Sequence, residues 1–403
     1  MKNEIIYDCA IIGAGVAGLF AANKIINENK NLKVIVFDIG AAFSKRRSQI
    51  CGALGSLPFS DGKLWMNDVD SVEALIGKKK IKSAKNETVS LFKKVIDFKP
   101  VKNKKVNISA DNKFKKNGYT LQYNEYVQMY PSNIHALSKV IASNLDKKAT
   151  FSFNNEVQEI TKDKNIFHLK SEDGDFKAKK VLISVGRAGW RWAGNVFKNF
   201  GIVSDNDYCC FGIKAEMSAA NLKDFNKSTI SLTKDDVSVG TFSWNGTVIP
   251  EDHVDMAISS FRSNEGRWNS DKVSFDIMAK KYFKNNGYEQ ADRIANLTFI
   301  LTNERISKER ISLLINKKSK ISIMKEYDWL KDVILDLNNF IPDLATKGYF
   351  HSPTVITLPP KINLSNDLES DIEGLFVAGE TAGVQGILAA ALMGTAVAEG
   401  ILK

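Results

Sequence analysis

The chain has 403 residues, of which 44% are hydrophobic and 25% are charged, and its formal net charge is +10. This length and composition predict a globular protein with a large core and about two domains. The apolar runs are shorter than the roughly 18 residues of a membrane span, and the four cysteines and four histidines lack the spacing of a disulfide framework or a metal site, so we expect neither a membrane protein nor a structural metal.

The amino terminus does not have the pattern of an export signal. Glu4 and Asp8 bracket the first apolar residues, and a glycine-rich turn stands where a cleavage region would be. A signal peptide instead has a basic start, an apolar centre and a small-residue cleavage site. We therefore expect a cytoplasmic protein.

The first 38 residues have the pattern of a dinucleotide-binding βαβ unit. A strand-like apolar run from Ile5 to Ile12 leads into a glycine turn, a helix of small residues and a second strand that ends at Asp38. Such a turn lets the backbone approach a pyrophosphate at the amino terminus of the helix, and the acid can bind a ribose diol. The residues predicted to form this turn are Gly13, Ala14, Gly15, Val16, Ala17 and Gly18. This fingerprint alone does not distinguish NAD from FAD.

The segment after the second strand is predicted to lie close to the ligand. Arg46 and Arg47 are either contacts to phosphate or ribose, or surface cations. Gly52 and Gly55 indicate a loop with little side chain, which suits a position under a flat ligand. Cys51 is a candidate redox thiol or an inert cysteine, since it has no CxxC partner.

Residues 59–64 read FSDGKL. In this motif, and in the basic pair before it, the chain resembles a largely uncharacterised family of FAD-dependent dehydrogenases, although the loop between the two has fewer glycines than in that family. The resemblance continues in FGIKAEM (211–217), in GTFSWNGTVIPED (240–252), where Ser243 replaces a family cysteine, and in HSPTVITLPP (351–360), where His351 replaces an acid. It implies a glutathione-reductase-like FAD-binding fold with FAD as the cofactor.

The resemblance also suggests site residues. Asp61 and Lys63 either touch substrate or flavin, or brace their loop. In FAD domains of this kind the adenine lies against backbone near Val157, and a hairpin ends in a turn that corresponds here to residues 184–187, including Gly186 and Arg187. His351 is either a proton-transfer group beside the flavin or a residue that caps the segment before a proline.

One segment carries the whole excess of positive charge. Residues 78–116 contain 14 lysines, no arginine and three acidic residues. The first interpretation is a solvated, partly mobile insertion, because blocks of like charge repel and stay exposed. The second is a patch for a polyanion, such as nucleic acid or an acidic partner.

The carboxyl-terminal segment predicts a second half of the cofactor site. A buried strand over residues 375–378 ends at Gly379 and Glu380, and similar flavoproteins use an acid at that place to bind the ribityl chain. Gly386 and Ile387 begin the last helix. We expect its N–H groups to face the flavin pyrimidine edge, where they would stabilise the negative charge of the reduced flavin.

These patterns predict an α/β protein with a discontinuous Rossmann-like FAD-binding domain over residues 1–60, 132–188 and 351–403. A mixed α+β substrate or cap domain is predicted over 189–350, and a basic excursion over 65–131. The predicted activity is that of an FAD-dependent oxidoreductase, which transfers a hydride between a small-molecule substrate and flavin N5. The alternatives are a flavoenzyme that acts on nucleic acid or a modified base through residues 78–116, and a flavin-binding sensor without turnover.

Overall fold

A computed structural model describes residues 5–46, 50–205, 207–244, 246–253, 256–263, 271–284, 286–356 and 361–403. Its α-helices in that part of the chain are α1 (Val16–Glu28), α2 (Asp68–Ile76), α3 (Lys78–Phe92), α4 (Ile108–Lys116), α5 (Pro131–Leu145), α6 (Trp190–Asn199), α7 (Gly287–Leu301), α8 (Ile311–Ile315), α9 (Trp329–Leu337), α10 (Leu344–Lys347) and α11 (Ile387–Ile401). Among these helices, none combines the length and apolar character that crossing a bilayer requires.

The β-strands follow the same order along the chain. They are β1 (Ile6–Ile12), β2 (Val34–Asp38), β3 (Lys63–Trp65), β4 (Thr120–Tyr123), β5 (Tyr126–Gln128), β6 (Ala149–Phe153), β7 (Val157–Asp163), β8 (Ile166–Ser171), β9 (Gly174–Ile183), β10 (Ser204–Asp205), β11 (Tyr208–Ser218), β12 (Ile230–Lys234), β13 (Val237–Trp244), β14 (Gly246–Asp252), β15 (Ala257–Ser263), β16 (Lys272–Tyr282), β17 (Ser307–Arg310), β18 (Tyr349–Ile356), β19 (Lys361–Ile362) and β20 (Leu375–Val377).

The chain divides into two compact units. The first comprises Met1–Lys99, Val127–Asp205 and Leu358–Lys403, and the second comprises Pro100–Tyr126 and Asn206–Thr357. This division differs from the predicted domain boundaries. Residues 65–99 belong to the first unit and 100–126 to the second, so the predicted basic excursion is split between them. The segment 189–205 lies in the first unit, and 351–357 lies in the second.

The first unit is built on a mainly parallel sheet. Strand β1 pairs in parallel with β2 and β9, β2 pairs with β6, and β20 pairs with β9. An antiparallel layer of β7 and β8 extends the sheet from β9. The central strands β1 and β9 end in runs of buried, mostly aliphatic residues, and β2 is buried over its first four residues, as expected where helices cover a parallel sheet. The predicted α/β fold class, with a Rossmann-like sheet and a mixed α+β second part, is confirmed.

The last helix packs directly on the first. Helices α1 and α11 are in extensive contact, and 12 of the 15 residues of α11 are buried. A Cβ atom at Gly394 would overlap the backbone carbonyl of Ala17, so the absent side chain permits this close approach. The apolar run that ends the chain is therefore a core helix held against the first βαβ unit.

The lysine-rich segment begins with a packed amphipathic helix. Helix α3 buries Ile81, Ala84, Leu91 and Phe92, and it contacts α11. The Thr88 and Thr395 hydroxyl oxygens are 2.8 Å apart between these two helices. The first half of the segment is therefore no loose insertion, because its apolar stripe belongs to the core while its lysines face outward.

The second unit contains a seven-stranded antiparallel sheet in the order β17, β18, β11, β16, β13, β12 and β4. One face of this sheet contributes to an apolar core with helices α4 and α7–α10. Within that core, Phe114 of α4 lies edge-on to Phe225 and Phe340. The second half of the lysine-rich segment is thus anchored by an aromatic side chain.

Candidate functional site

The glycine turn after β1 has no room for side chains at two positions. Gly13 has a φ of +102°, and a Cβ atom there would lie 2.5 Å from the carbonyl oxygen of Ser184. A Cβ atom at Gly18 would overlap the carbonyl of Gly13. The Ser184 hydroxyl donates to that same carbonyl oxygen at 3.0 Å, which joins the turn to the end of β9. The turn is therefore held by backbone contacts that only glycine allows.

Helix α1 begins at this turn without a side-chain cap. Its N-cap residue is Gly15, which has no side-chain oxygen to accept from the first N–H groups. Val16 and Ala17 are the first helical residues and are buried. An uncapped helix start of this kind leaves backbone donors available for an anion.

Asp38 ties the turn to the loop that follows β2. Its carboxylate accepts backbone hydrogen bonds from Ala14 at 2.7 Å, Gly40 at 2.8 Å and Gly52 at 2.7 Å. Burial raises the pKa of this carboxyl group, although the three N–H donors act in the opposite direction. The observed role of Asp38 is thus to organise backbone, and its predicted contact with a ribose stays a prediction.

Arg46 holds the glycine-containing loop in place. Its Nη1 atom donates to the carbonyl oxygens of Ala53 at 2.8 Å and Gly55 at 2.5 Å. Burial lowers the pKa of Arg46 to about 10, while the nearby Asp38 and Cys51 act to raise it. The guanidinium therefore stays charged at neutral pH and braces the loop. The neighbouring candidate, Arg47, lies outside the described residues.

The loop braced by Arg46 lies against the glycine turn. The Leu54 N–H donates to the Ala14 carbonyl at 2.8 Å, and a Cβ atom at Gly55 would lie 3.4 Å from the Cα atom of Gly15. Cys51, the candidate redox thiol, is partly exposed in this loop. The structure thus brings the predicted residues of both segments together around one turn.

Asp61 and Lys63 form an ion pair within the FSDGKL motif. Lys63 Nζ lies 2.9 Å from Asp61 Oδ2, and the Lys63 backbone N–H donates to Asp61 Oδ1 at 3.2 Å. The Gly62 carbonyl between them accepts from the Met129 N–H at 2.8 Å. The Lys63 ammonium group is buried, 5.5 Å from the ring centroid of Trp65. These contacts brace the motif, and a catalytic role for the pair stays a prediction.

The turns that follow β9 and β20 meet through side chains. Arg187 donates from Nη2 to Glu380 Oε1 at 2.9 Å and from Nε to Glu380 Oε2 at 3.2 Å. The Gly186 N–H donates to the Thr381 hydroxyl at 3.2 Å. Gly379 has a φ of +74°, and a Cβ atom there would lie 3.1 Å from the Cβ of Ala17. Three segments that are distant in sequence therefore converge at the start of α1.

The start of α11 contacts a carboxylate that the sequence did not reveal. Ile387 is its first residue and Gly386, with a φ of +117°, is its N-cap. The Ala389 N–H donates to Asp68 Oδ2 at 3.4 Å, and a Cβ atom at Gly386 would overlap this carboxylate. Burial raises the pKa of Asp68 to about 7, against the opposing effect of the Ala389 N–H. An acid in the first turn of α2 resembles an ordinary helix-start residue, so only the tertiary contact identifies it.

The other predicted residues lie at two further places. Val157 begins β7, and its carbonyl accepts from the indole Nε1 of Trp192 at 2.5 Å, so the predicted adenine contact there stays a prediction. His351 belongs to β18 of the second unit, where Glu216 is its neighbour. In the described part of the chain, no cluster of three or more His, Cys, Asp or Glu residues could hold a metal ion.

No protein-family model and no curated protein matches the chain. Solved structures with similarity include glycine oxidase from Geobacillus kaustophilus, at 14% identity and a TM-score of 0.47, with 98% of this chain and 94% of that chain covered. They also include the halogenase PltM in complex with phloroglucinol and FAD, at 13% identity and a TM-score of 0.46, with 98% and 69% covered. A third is L-proline dehydrogenase from P. horikoshii, at 12% identity and a TM-score of 0.45, with 98% and 93% covered.

Proposed function

We propose that this chain is an FAD-dependent oxidoreductase that transfers a hydride between a small-molecule substrate and the flavin. The observation that carries the proposal is the convergence of three glycine turns in the first unit. Gly13 abuts Ser184 at the end of β9, Gly55 abuts Gly15, and Gly379 abuts Ala17. These glycines leave space around a helix start that has no side-chain cap. A ligand can therefore come close to the backbone there.

The donor set of this unit fits a dinucleotide. The first N–H groups of α1 would hold the pyrophosphate, because the helix dipole and unsatisfied donors favour an anion there. Asp38 would accept from one ribose hydroxyl group with the remaining lone pair of Oδ2, since its three backbone donors occupy the other acceptor sites. Glu380, oriented by Arg187, would accept from the ribityl hydroxyl groups.

Bound FAD would supply the hydride-transfer chemistry. The chain's own contribution is to bind and orient. Asp38 and Arg46 keep the loop of residues 50–55 against the turn, and the Arg187–Glu380 pair keeps the turns after β9 and β20 together. Asp68 accepts a hydrogen bond from the Ala389 N–H and so fixes the position of the start of α11. No contact among the described residues favours the nucleic-acid or sensor alternatives.

The proposal is tested first by cofactor binding. Purified full-length protein is stripped of small molecules, titrated with FAD, NAD or FMN, and followed by flavin fluorescence or calorimetry. We expect tight binding of FAD alone. Gly13→Ala should lose it, because the new Cβ would meet the Ser184 carbonyl. The matched control is Gly194→Ala, whose Cβ would meet no atom within 4 Å. A protein that binds no FAD would refute the proposal.

Turnover is tested separately on the FAD-loaded protein. Candidate amines, hydroxy acids and NAD(P)H are mixed with it anaerobically, and loss of the oxidised flavin absorbance is recorded. Reduction by one donor, followed by reoxidation by a defined acceptor, would support an oxidoreductase. FAD that binds tightly but is reduced by none of these donor classes would favour the sensor without turnover.

A further inference from the structure

The second half of the lysine-rich segment lies on the surface of the second unit. Residues 100–119 contain six lysines and one acidic residue, Asp111. All six lysines are exposed, and Lys115 pairs with Asp111 at 2.7 Å. Among the described residues the other five have no carboxylate partner, so their charge is uncompensated. They are Lys102, Lys104, Lys105, Lys113 and Lys116.

The loop before α4 is fixed through its backbone. The Asn226 side-chain amide donates to the carbonyl oxygen of Lys105 at 2.8 Å and to Asn107 Oδ1 at 2.9 Å. The Ser228 hydroxyl donates to the carbonyl oxygen of Lys104. These bonds use backbone oxygens of the two lysines, so the loop is held in place while the ammonium groups stay in solvent.

The segment that holds this loop adds further positive charge. Lys223 and Lys227 lie on either side of Asn226 in the sequence and are exposed. The acid between them, Asp224, accepts from the Asn107 side-chain amide at 2.9 Å. Together with Ile108 of α4, the eight lysines of the two segments are called the basic surface below. These lysines are Lys102, Lys104, Lys105, Lys113, Lys115, Lys116, Lys223 and Lys227.

Helix α4 turns an isoleucine outward within the basic surface. Ala110 and Phe114 bury the inner face of the helix. Ile108, Asn112 and Lys115 follow one another on the outer face, because they are four and three positions apart. Ile108 is 79% exposed, more than any other isoleucine in the described part of the chain. A single exposed isoleucine is ordinary by itself, but this one stands among uncompensated lysines.

The residue types of the basic surface distinguish between classes of anionic partner. The segments 100–119 and 218–228 are described in full and contain no arginine, and their aromatic residues Phe114, Tyr119 and Phe225 are buried. Bases of single-stranded nucleic acid stack on exposed rings, and protein interfaces are enriched in aromatic residues and arginine but depleted of lysine. Surfaces that lie on anionic membranes instead combine lysines with an apolar side chain that enters the lipid boundary.

We propose that the basic surface binds an anionic lipid membrane. Its lysines would lie at the level of the lipid phosphates, and Ile108 would enter the boundary between headgroups and acyl chains. The protein would then lie on the membrane without spanning it. The proposal does not depend on FAD, because every residue involved belongs to the second unit.

The test uses the full-length protein and vesicles of two compositions. One is phosphatidylcholine alone, and the other is equal parts of phosphatidylcholine and phosphatidylglycerol. Co-sedimentation measures the bound fraction at low and at high sodium chloride. We expect saturable binding to the mixed vesicles that weakens as salt rises, because salt screens the attraction. Absence of binding to the mixed vesicles, or equal binding to both compositions, would overturn the proposal.

A charge variant then locates the contact. Lys104→Gln combined with Lys105→Gln keeps the backbone contacts and should weaken binding to the mixed vesicles by about tenfold or more, since each lysine near an anionic surface contributes about fivefold. The matched control is Lys82→Gln combined with Lys85→Gln, because these exposed lysines belong to α3, in the first half of the lysine-rich segment. Thermal melting checks that both variants fold. Equal weakening in the two double variants would overturn the assignment to the basic surface.

An apolar variant separates a membrane from other polyanions. Ile108→Ser should weaken binding to the mixed vesicles about tenfold, because the side chain no longer enters the lipid boundary. Ile323→Ser is the matched control, since Ile323 is also an exposed isoleucine of the second unit, at 73%. Unchanged vesicle binding by Ile108→Ser, or tighter binding of a DNA duplex than of the mixed vesicles at the same salt, would overturn the proposal. Either result would mean that the basic surface recognises a polyanion by charge alone.

Discussion

Arg187 and Glu380 form a two-point ion pair across 193 positions of the sequence. The guanidinium donates to both carboxylate oxygens, and the Arg187 backbone N–H donates to Oε2 at 3.2 Å. Both side chains are largely buried, with 29% and 15% exposed. Paired donors in this geometry fix the orientation of a carboxylate more firmly than a single contact does.

The first prediction follows from this pair. Arg187→Lys keeps the positive charge but loses the two-point geometry, so Glu380 should lose its orientation and FAD affinity should fall about tenfold, which corresponds to about 1.4 kcal/mol. Fluorescence titration with FAD measures the change. Arg293→Lys is the control, because Arg293 pairs with Glu326 in the second unit. Unchanged affinity in Arg187→Lys would show that the pair only supports the fold.

The second prediction concerns the packing of the glycine turn. Gly18→Ala should lower the free energy of unfolding by about 1–3 kcal/mol, because its Cβ would overlap the Gly13 carbonyl. Gly194→Ala should instead raise it by about 0.5–1 kcal/mol, since Gly194 lies within α6 and its Cβ would meet nothing within 4 Å. Urea denaturation measures both values. If both substitutions changed the free energy of unfolding in the same direction, the result would contradict this geometry of the glycine turn.

The third prediction is a pH dependence caused by Asp68. Its folded-state pKa is raised to about 7, above the ordinary 3.8, so the unfolded chain releases this proton at lower pH than the folded one. The stability of the protein should therefore fall as pH rises from about 4 to about 7, by up to a few kcal/mol. Asp68→Asn should remove this part of the pH dependence and stabilise the protein above pH 7.

The control for Asp68 is Asp70→Asn, on the same first turn of α2 but exposed. Chemical denaturation at a series of pH values between 4 and 8 compares the two variants with the unaltered protein. If the free energy of unfolding of both variants depends on pH as it does in the unaltered protein, the burial of Asp68 at the start of α11 is not the cause of that pH dependence.

The fourth prediction concerns the lysine-rich helix. Phe92→Ala should destabilise the protein by about 3–5 kcal/mol, because Phe92 is completely buried and its ring centroid lies 5.4 Å from that of Phe20. Lys82→Ala, on the exposed face of α3, should change stability by less than about 0.5 kcal/mol. Equal small effects in denaturation experiments would mean that α3 is a dispensable insertion.

Local sequence patterns were sufficient for the elements of the first βαβ unit. The structure confirms β1, α1, β2 and the beginning of the last helix at Ile387, although α1 begins at Val16, inside the predicted glycine turn. These elements depend on hydrophobic periodicity and on glycines that lie within about 30 positions of one another, and such features are visible in a single sequence. The α/β class follows from the same patterns.

Tertiary structure decided what those residues contact. Asp38, at the end of β2, accepts three backbone hydrogen bonds from two separate loops. In the first turn of α11, Ala389 contacts Asp68, which precedes it by 321 positions in the chain. The burial of Lys214 and Glu216 on β11 is also decided only when the strands of the second unit pair. Periodicity predicts which face of a strand or helix is apolar, but contacts between distant segments depend on the packing of the whole unit.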